Sequence, residues 1–227
     1  MLRRDNKGIE KASEVKTPLV LVTAGPTRER IDPVRFISNH STGTFGYAIA
    51  QEARNRGCRV VLVTGPVSVK SPPGIKTIHI ESAAEMQKAV LSWAGRADYV
   101  FMAAAVSDWR AVKPARTKIK KAGRRLLLEL EENPDILKTL GKQRNYRLVG
   151  FALETARLEE RAAEKLKSKN LDMIVANKLV KGSKLFGDNK IDVVIMDRYG
   201  SRCIYKSLSK GRLAKIILDK AFGFNIK

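Results

Sequence analysis

The residue types best suited to holding an anion sit together in one stretch. Behind an apolar run at residues 19–22 comes Thr23-Ala-Gly-Pro-Thr-Arg-Glu-Arg-Ile-Asp-Pro-Val-Arg-Phe-Ile-Ser-Asn-His-Ser-Thr-Gly-Thr-Phe-Gly46, and a helical pattern starts near Thr44. This loop carries Arg28, Arg30, Arg35, Ser38, Asn39 and Ser41. Guanidinium groups and hydroxyls donate to phosphate, and a helix start with free N–H groups favours negative charge by roughly 0.3–2 kcal/mol. Open α/β sheets bind ligands beyond the carboxyl ends of their strands, which is where such a loop would lie. It is not a dinucleotide fingerprint. The loop ends in Ser41-Thr-Gly43-Thr-Phe-Gly46 with no first glycine, and the next apolar run, 59–63, leads into Thr64-Gly65 instead of an acid for a ribose.

Further candidates are spread along the chain. Residues 98–105 form an apolar run ending in Ala103, Ala104 and Ala105, with Asp108 just beyond. Small side chains there let backbone approach a ligand closely, although tight core packing explains the alanines equally well. Lys118 lies in the basic run Lys118-Ile-Lys-Lys-Ala-Gly-Arg-Arg125, and Lys165 and Lys169 share one face of a charged helix at i and i+4. Read without further context, these are solvated basic faces, Arg35 is a surface charge, and Asn39 is an Asx-turn residue.

The elements that must position these groups follow from hydrophobic periodicity. Apolar runs of strand length fall at 19–23, 59–64, 75–80, 98–105, 147–152 and 172–176, and they alternate with helical stretches at 44–57 and 157–168. Ser82-Ala-Ala-Glu85 is a capping box that opens another helix, ending near Gly95. Strand–helix–strand repetition implies a mostly parallel, Rossmann-like α/β sheet flanked by helices. Runs at 191–196 and 201–205 flank Asp197-Arg-Tyr-Gly200, which predicts an antiparallel edge, and a helix over 209–221 follows. Residues 109–132 break the rhythm and read as a β-hairpin with Ala122-Gly123 at its tip. A protruding hairpin cannot bury both faces alone, so it is a dimerisation element. Residues 1–17 are polar and aperiodic, a flexible leader or linker, leaving 18–227 as the folded domain.

Composition bounds the partners. With 44 Lys and Arg against 23 Asp and Glu, the net charge is +21, which points to polyanions such as nucleotides or phosphorylated metabolites. Cys58 and Cys203 lack any C-x-x-C spacing, and His40 and His79 are the two histidines, so neither a zinc site nor a disulfide framework is expected. A cytoplasmic protein is the default, with no apolar run long enough for a membrane span.

Eight motifs occurring in order carry a resemblance. They are Thr23-Ala-Gly-Pro-Thr-Arg28, Asp32-Pro-Val-Arg35, Ile37-Ser-Asn-His-Ser-Thr-Gly43, Ala103-Ala-Ala-Val-Ser-Asp108, Lys118-Ile-Lys-Lys121, Asn133-Pro-Asp-Ile136, Gly150-Phe-Ala-Leu-Glu154 and Lys169-Asn-Leu-Asp172. Together they resemble phosphopantothenoylcysteine synthetase, the second activity of the bacterial and archaeal coenzyme A fusion protein. The resemblance implies that 4′-phosphopantothenate is activated by CTP to an acyl-cytidylate and then joined to cysteine. It implies Asn39 and Lys118 as catalytic residues, and Arg35 with Asn39 on phosphopantothenate. On the nucleotide it implies Ser41, Gly43, Ala104, Ala105, Asp108, Phe151, Lys165 and Lys169. Mg²⁺ is implied with the triphosphate, without assigned ligands, as are a homodimer and a decarboxylase as fused or separate partner. Asn133, Pro134 and Asp135 shape the return from the hairpin and receive no chemistry.

Two rival readings remain at this point. A basic nucleic-acid-binding module explains the charge, with residues 113–125 as a phosphate-tracking arm, but not the ordered Asn39 loop; its basic run also lacks interleaved aromatics. An NAD(P)-dependent oxidoreductase suits the fold but not the missing acid after Val63.

Overall fold

The computed structural model describes residues 17–121, 123, 125–143, 145–178 and 190–223. In chain order, β1 (Leu19–Ala24) precedes a short hairpin of β2 (Arg28–Arg30) and β3 (Phe36–Ser38), then α1 (Thr44–Asn55), β4 (Arg59–Thr64), β5 (Lys76–His79), α2 (Ala83–Ala94) and β6 (Tyr99–Met102). The chain continues through β7 (Trp109–Ala111), β8 (Leu130–Glu132), α3 (Ile136–Leu140), β9 (Arg147–Glu154), α4 (Leu158–Ser168) and β10 (Met173–Lys178). It closes with β11 (Ile191–Asp197), β12 (Arg202–Leu208) and α5 (Lys210–Gly223).

Eight of these strands form one sheet in the order β12-β11-β10-β9-β6-β1-β4-β5. Strands β10 through β5 in that order run parallel, and β11 and β12 pair antiparallel at the edge. The side-chain period of two divides the core between two faces. Val20, Val22 and Ala24 of β1 pack with Ile49, Ala50 and Ala53 of α1 and with Leu213, Ile217 and Leu218 of α5. Leu19 and Leu21 pack on the other face with Met86 and Val90 of α2, Ile136 and Leu140 of α3, and Ala162 of α4. The result is a helix–sheet–helix sandwich in which β1, flanked by β6 and β4, is buried at every position.

The expected strands and long helices are present, with bounds shifted by a few residues. The capping box is present in altered form: Ser82 Oγ accepts from Glu85 N at 3.2 Å, but the Glu85 carboxylate accepts from Glu81 N at 2.7 Å rather than from the cap residue. At Asp197-Arg-Tyr-Gly200 the turn is closed by Asp197 Oδ1, which accepts from Tyr199 N and Ser201 N. The hairpin expected over 109–132 has a ladder of three pairs at its base, Trp109↔Glu132, Arg110↔Glu131 and Ala111↔Leu130. Residues 113–121 and 125–129 form no further strand, and Ala122 of the expected tip lies outside the described residues, as do residues 1–16 of the expected leader. The polar loop after β1 is more structured than expected, since it folds back on itself as β2 and β3. No helix among the described residues is long and apolar enough to cross a membrane.

Candidate functional site

The order of the sheet creates the site. From β1 the chain crosses to β4 on one side, while β6 lies on the other, so the loops leaving β1 and β6 stand side by side at the carboxyl ends of the strands, where open α/β sheets bind ligands. Thr23 Oγ1 at the end of β1 accepts from Ala104 N at 3.1 Å, and Thr27 Oγ1 accepts from Ser107 N at 2.9 Å. Between them Ala105 N donates to Gly25 O at 2.9 Å and Thr27 N to Ala105 O at 3.3 Å. The two loops are thus joined residue by residue. Beneath them the end of β4 passes so close that a Cβ on Gly65 would lie 1.7 Å from Pro26 O.

A cleft of about 400 Å³ opens beside this seam. Its wall includes Ala104 and Asp108 after β6, Phe151 in β9, Lys165 in α4 and Lys169 at the end of α4, five residues that the sequence names from three separate stretches of the chain. Lys165 Nζ donates to Phe151 O at 2.9 Å. Burial pushes the Lys165 ammonium below its ordinary value, with nearby carboxylates opposing the shift. Lys169 pairs with the Asp135 carboxylate. Burial works to raise Asp135, but the Lys169 contact and the N–H of Lys138 outweigh it and leave the carboxyl below its usual range.

Asn39 reaches the seam from the β1 side, donating from Nδ2 to Val106 O at 2.9 Å, and Val106 lines the cleft. Asn39 and Ser41 line a second cavity, of about 560 Å³, together with Arg28, Phe36, His40 and Ser68. Ser41 Oγ accepts from Gly43 N at 3.2 Å, and Gly43 is the N-cap of α1 in the left-handed region, φ 74°, with no side-chain cap of its own. Any residue with a Cβ there would be strained.

Arg35 and Lys118 line neither cavity. The Arg35 guanidinium is engaged by the fully buried Asp32 side chain and also donates to Ile119 O at 2.9 Å. Asp32 accepts as well from the N–H groups of Val34, Arg35 and Ile119. Chiefly through the Arg35 hydrogen bond, its carboxyl is held well below the usual carboxylate range. This clamp fixes the backbone next to Lys118, whose own side chain is exposed. Ala105 is occupied by the seam itself, as half of an isolated bridge with Pro26.

Sequence reasoning gave no chemistry to Asn133, Pro134 and Asp135, yet all three line the cleft. Asn133 donates from Nδ2 to Ser107 O and from its backbone N–H to Asp108 O, at 2.9 and 2.7 Å, while its Oδ1 is buried without a partner among the described residues. Asp135 caps α3 through Lys138 N at 2.7 Å. The available signal was an acid following proline and preceding an apolar Ile-Leu, a helix start. Among the described residues no cluster of three or more His, Cys, Asp or Glu could hold a metal ion.

Residues 15–224 match the family described as DNA/pantothenate metabolism flavoprotein C-terminal domain. The coenzyme A biosynthesis bifunctional protein CoaBC of Bacillus subtilis (strain 168) is 44% identical over 205 residues, 88% of this chain and 50% of that protein. The protein of the same name from Escherichia coli (strain K12) is 38% identical over 213 residues, 92% of this chain and 52% of that one. The chain therefore spans about half the length of the curated relatives it matches. A crystal structure of the C-terminal domain of a CoaBC protein superposes with a TM-score of 0.77 at 39% identity, covering 89% of this chain and 93% of the other. Motifs that lie far apart in sequence meet in one crevice, the fold is shared, and a family match runs over nearly the whole chain: it belongs to the DNA/pantothenate metabolism flavoprotein C-terminal domain family.

Proposed function

We propose that this chain is a phosphopantothenate–cysteine ligase of coenzyme A biosynthesis, using CTP and working as a cytoplasmic homodimer. The observation that carries the reading is the convergence of Ala104, Asp108, Phe151, Lys165 and Lys169 on one cleft, with Asn39 bonded to its rim. Similarity to proteins named for coenzyme A biosynthesis supports the substrate class. The Lys118-Ile-Lys-Lys121 run, which resembles the CTP-using bacterial type, supports CTP over ATP.

The chemistry asks for positioning and charge rather than for an unusual acid or base. A carboxylate oxygen of 4′-phosphopantothenate attacks the α-phosphorus of CTP, an O–P bond forms, and pyrophosphate departs with the electron pair. The cysteine amine then attacks the acyl carbon, a C–N bond forms, CMP leaves, and the amine gives up its proton. Lys165 and Lys169 hold phosphate oxygens, Phe151 packs against the base or sugar, and the Asn39 amide steadies the activated carboxyl group. The hard oxygen donor at Asp108 fits a magnesium ion held mainly by phosphates, which would neutralise their charge. Dimerisation falls to the 109–132 arm, where Trp109, Leu126, Leu127, Leu128 and Leu130 are exposed, Leu127 at 93%.

The test is pyrophosphate release with 4′-phosphopantothenate, Mg²⁺ and either CTP or ATP, with and without cysteine. Release should require phosphopantothenate, favour CTP, and become catalytic when cysteine is added. Silence in every combination, from folded protein, would overturn the reading. In the same assay Asn39→Asp should still release pyrophosphate but form the amide slowly, because the activated carboxyl group then meets a negative charge.

A further inference from the structure

We propose that Lys210 contacts the distal phosphates of the nucleotide at the start of α1, an assignment that rests on the ligase reading above. The helices α1 and α5 are separated by most of the chain yet lie side by side in the same direction. At one end Lys210, the first residue of α5, donates from Nζ to Thr44 Oγ1, on the first residue of α1, at 2.7 Å. At the other end Arg56, the C-cap of α1, reaches Asp219 at 2.7 Å and the carbonyl of Lys215 at 3.0 Å. Two parallel helices therefore present their positive ends together.

Neither helix has an acidic residue in its first turn. The two starts differ in one respect. Ser209 Oγ accepts from Arg212 N in the first turn of α5, whereas α1 has no side-chain cap. Around the α1 start stand the hydroxyls of Thr42 and Thr44, 3.0 Å apart, and that of Ser41. Lys210 adds a full positive charge to this cradle of hydroxyl and N–H groups.

The direction of the nucleotide places Lys210 on its far phosphates. Phe45, next to Thr44, meets Phe151 edge-on with ring centroids 5.4 Å apart, and Phe151 belongs to the cleft wall. A nucleotide with its sugar against Phe151 and its first phosphate within reach of Lys165, whose further phosphates run past Phe45 to Thr44, ends at Lys210. The lysine then discriminates by phosphate number: a triphosphate reaches it and a monophosphate does not.

The experiment compares Lys210→Gln and Lys210→Arg with the unaltered chain, measuring CTP and CMP affinity by calorimetry and the CTP dependence of pyrophosphate release. Losing one charge-assisted contact should weaken CTP about ten- to a hundredfold in K210Q, leave CMP within about twofold, and be largely restored in K210R. In the unaltered chain CTP, but not CMP, should protect Lys210 from acylation by an amine-reactive reagent, a readout that needs no variant to fold. Equal losses for CTP and CMP, unchanged CTP affinity in K210Q, or acylation indifferent to CTP would each overturn the assignment. If the unaltered chain releases pyrophosphate while K210Q matches it, Lys210 alone is wrong; if the unaltered chain neither binds CTP nor releases pyrophosphate, the ligase reading falls with it.

Discussion

Two carboxylate–cation pairs stand near the crevice and are built in opposite ways. Asp32 is enclosed, with three backbone N–H groups and the Arg35 guanidinium all donating to it. Asp135 accepts a single capping N–H, from Lys138, and meets Lys169 across an open cleft. The Asp32 carboxylate has spent its hydrogen-bonding capacity inside the protein and fixes a loop. The Asp135 carboxylate has fewer backbone donors, and its partner Lys169 lines the cleft, where the proposed ligase reading puts phosphate oxygens. Ion pairs are therefore informative through what they leave unsatisfied, not through their number.

Four substitutions would break or sharpen this contrast. The largest effect is expected from Lys165→Met, which removes a partly buried ammonium from the cleft: the KM for the nucleotide should rise about a hundredfold, while the melting temperature stays near that of the unaltered chain. A small change in nucleotide KM would remove Lys165 from the site. Asp32→Asn should act the other way round, lowering the melting temperature by roughly 5 °C at neutral pH with little direct effect on nucleotide affinity. The pH dependence carries a definite sign. Because the folded protein depresses the Asp32 pKa, its contribution is complete above the unfolded value of about 3.9 and is lost as pH falls through the lower folded value. The gap in melting temperature between the unaltered chain and Asp32→Asn should thus narrow in acid, and a constant gap would refute the clamp. Asp135→Ala removes the cap of α3, costing about 1 kcal/mol or roughly 3 °C by thermal melt. At the bottom of the scale, the exposed Arg30–Glu81 pair should be nearly silent, with Arg30→Ala melting within about 1 °C of the unaltered chain.

The long elements were legible because their patterns are physically forced. An all-apolar run such as β1 needs cover on both faces, and alternating strands and helices supply that cover. Shorter elements escaped for an equally physical reason. With three residues each, β2 and β3 carry too little periodicity to stand out, and α3 spans five residues, just over one turn. The charged run that suggested a long hairpin pairs only at its base, and residues 126–132 are exposed throughout, so no packed face enforces their alternation as a strand. Within the site, residue types announced phosphate chemistry, but only the tertiary fold shows that Phe151 and Lys165 are in contact or that Asp135 faces Lys169. Lys210 gave no signal at all, since its neighbour at Thr44 lies 166 positions earlier in the chain.

Gly65 touches neither cavity, yet its missing side chain is the space that Pro26 occupies. Any other residue there would displace Pro26 and, through Thr27 and Ala105, the seam that carries Val106 and Asn39. A deep mutational scan scored on growth would accordingly show Gly65 as intolerant as a ligand-binding position, and only a parallel scan scored on abundance would reveal it as a steric mould.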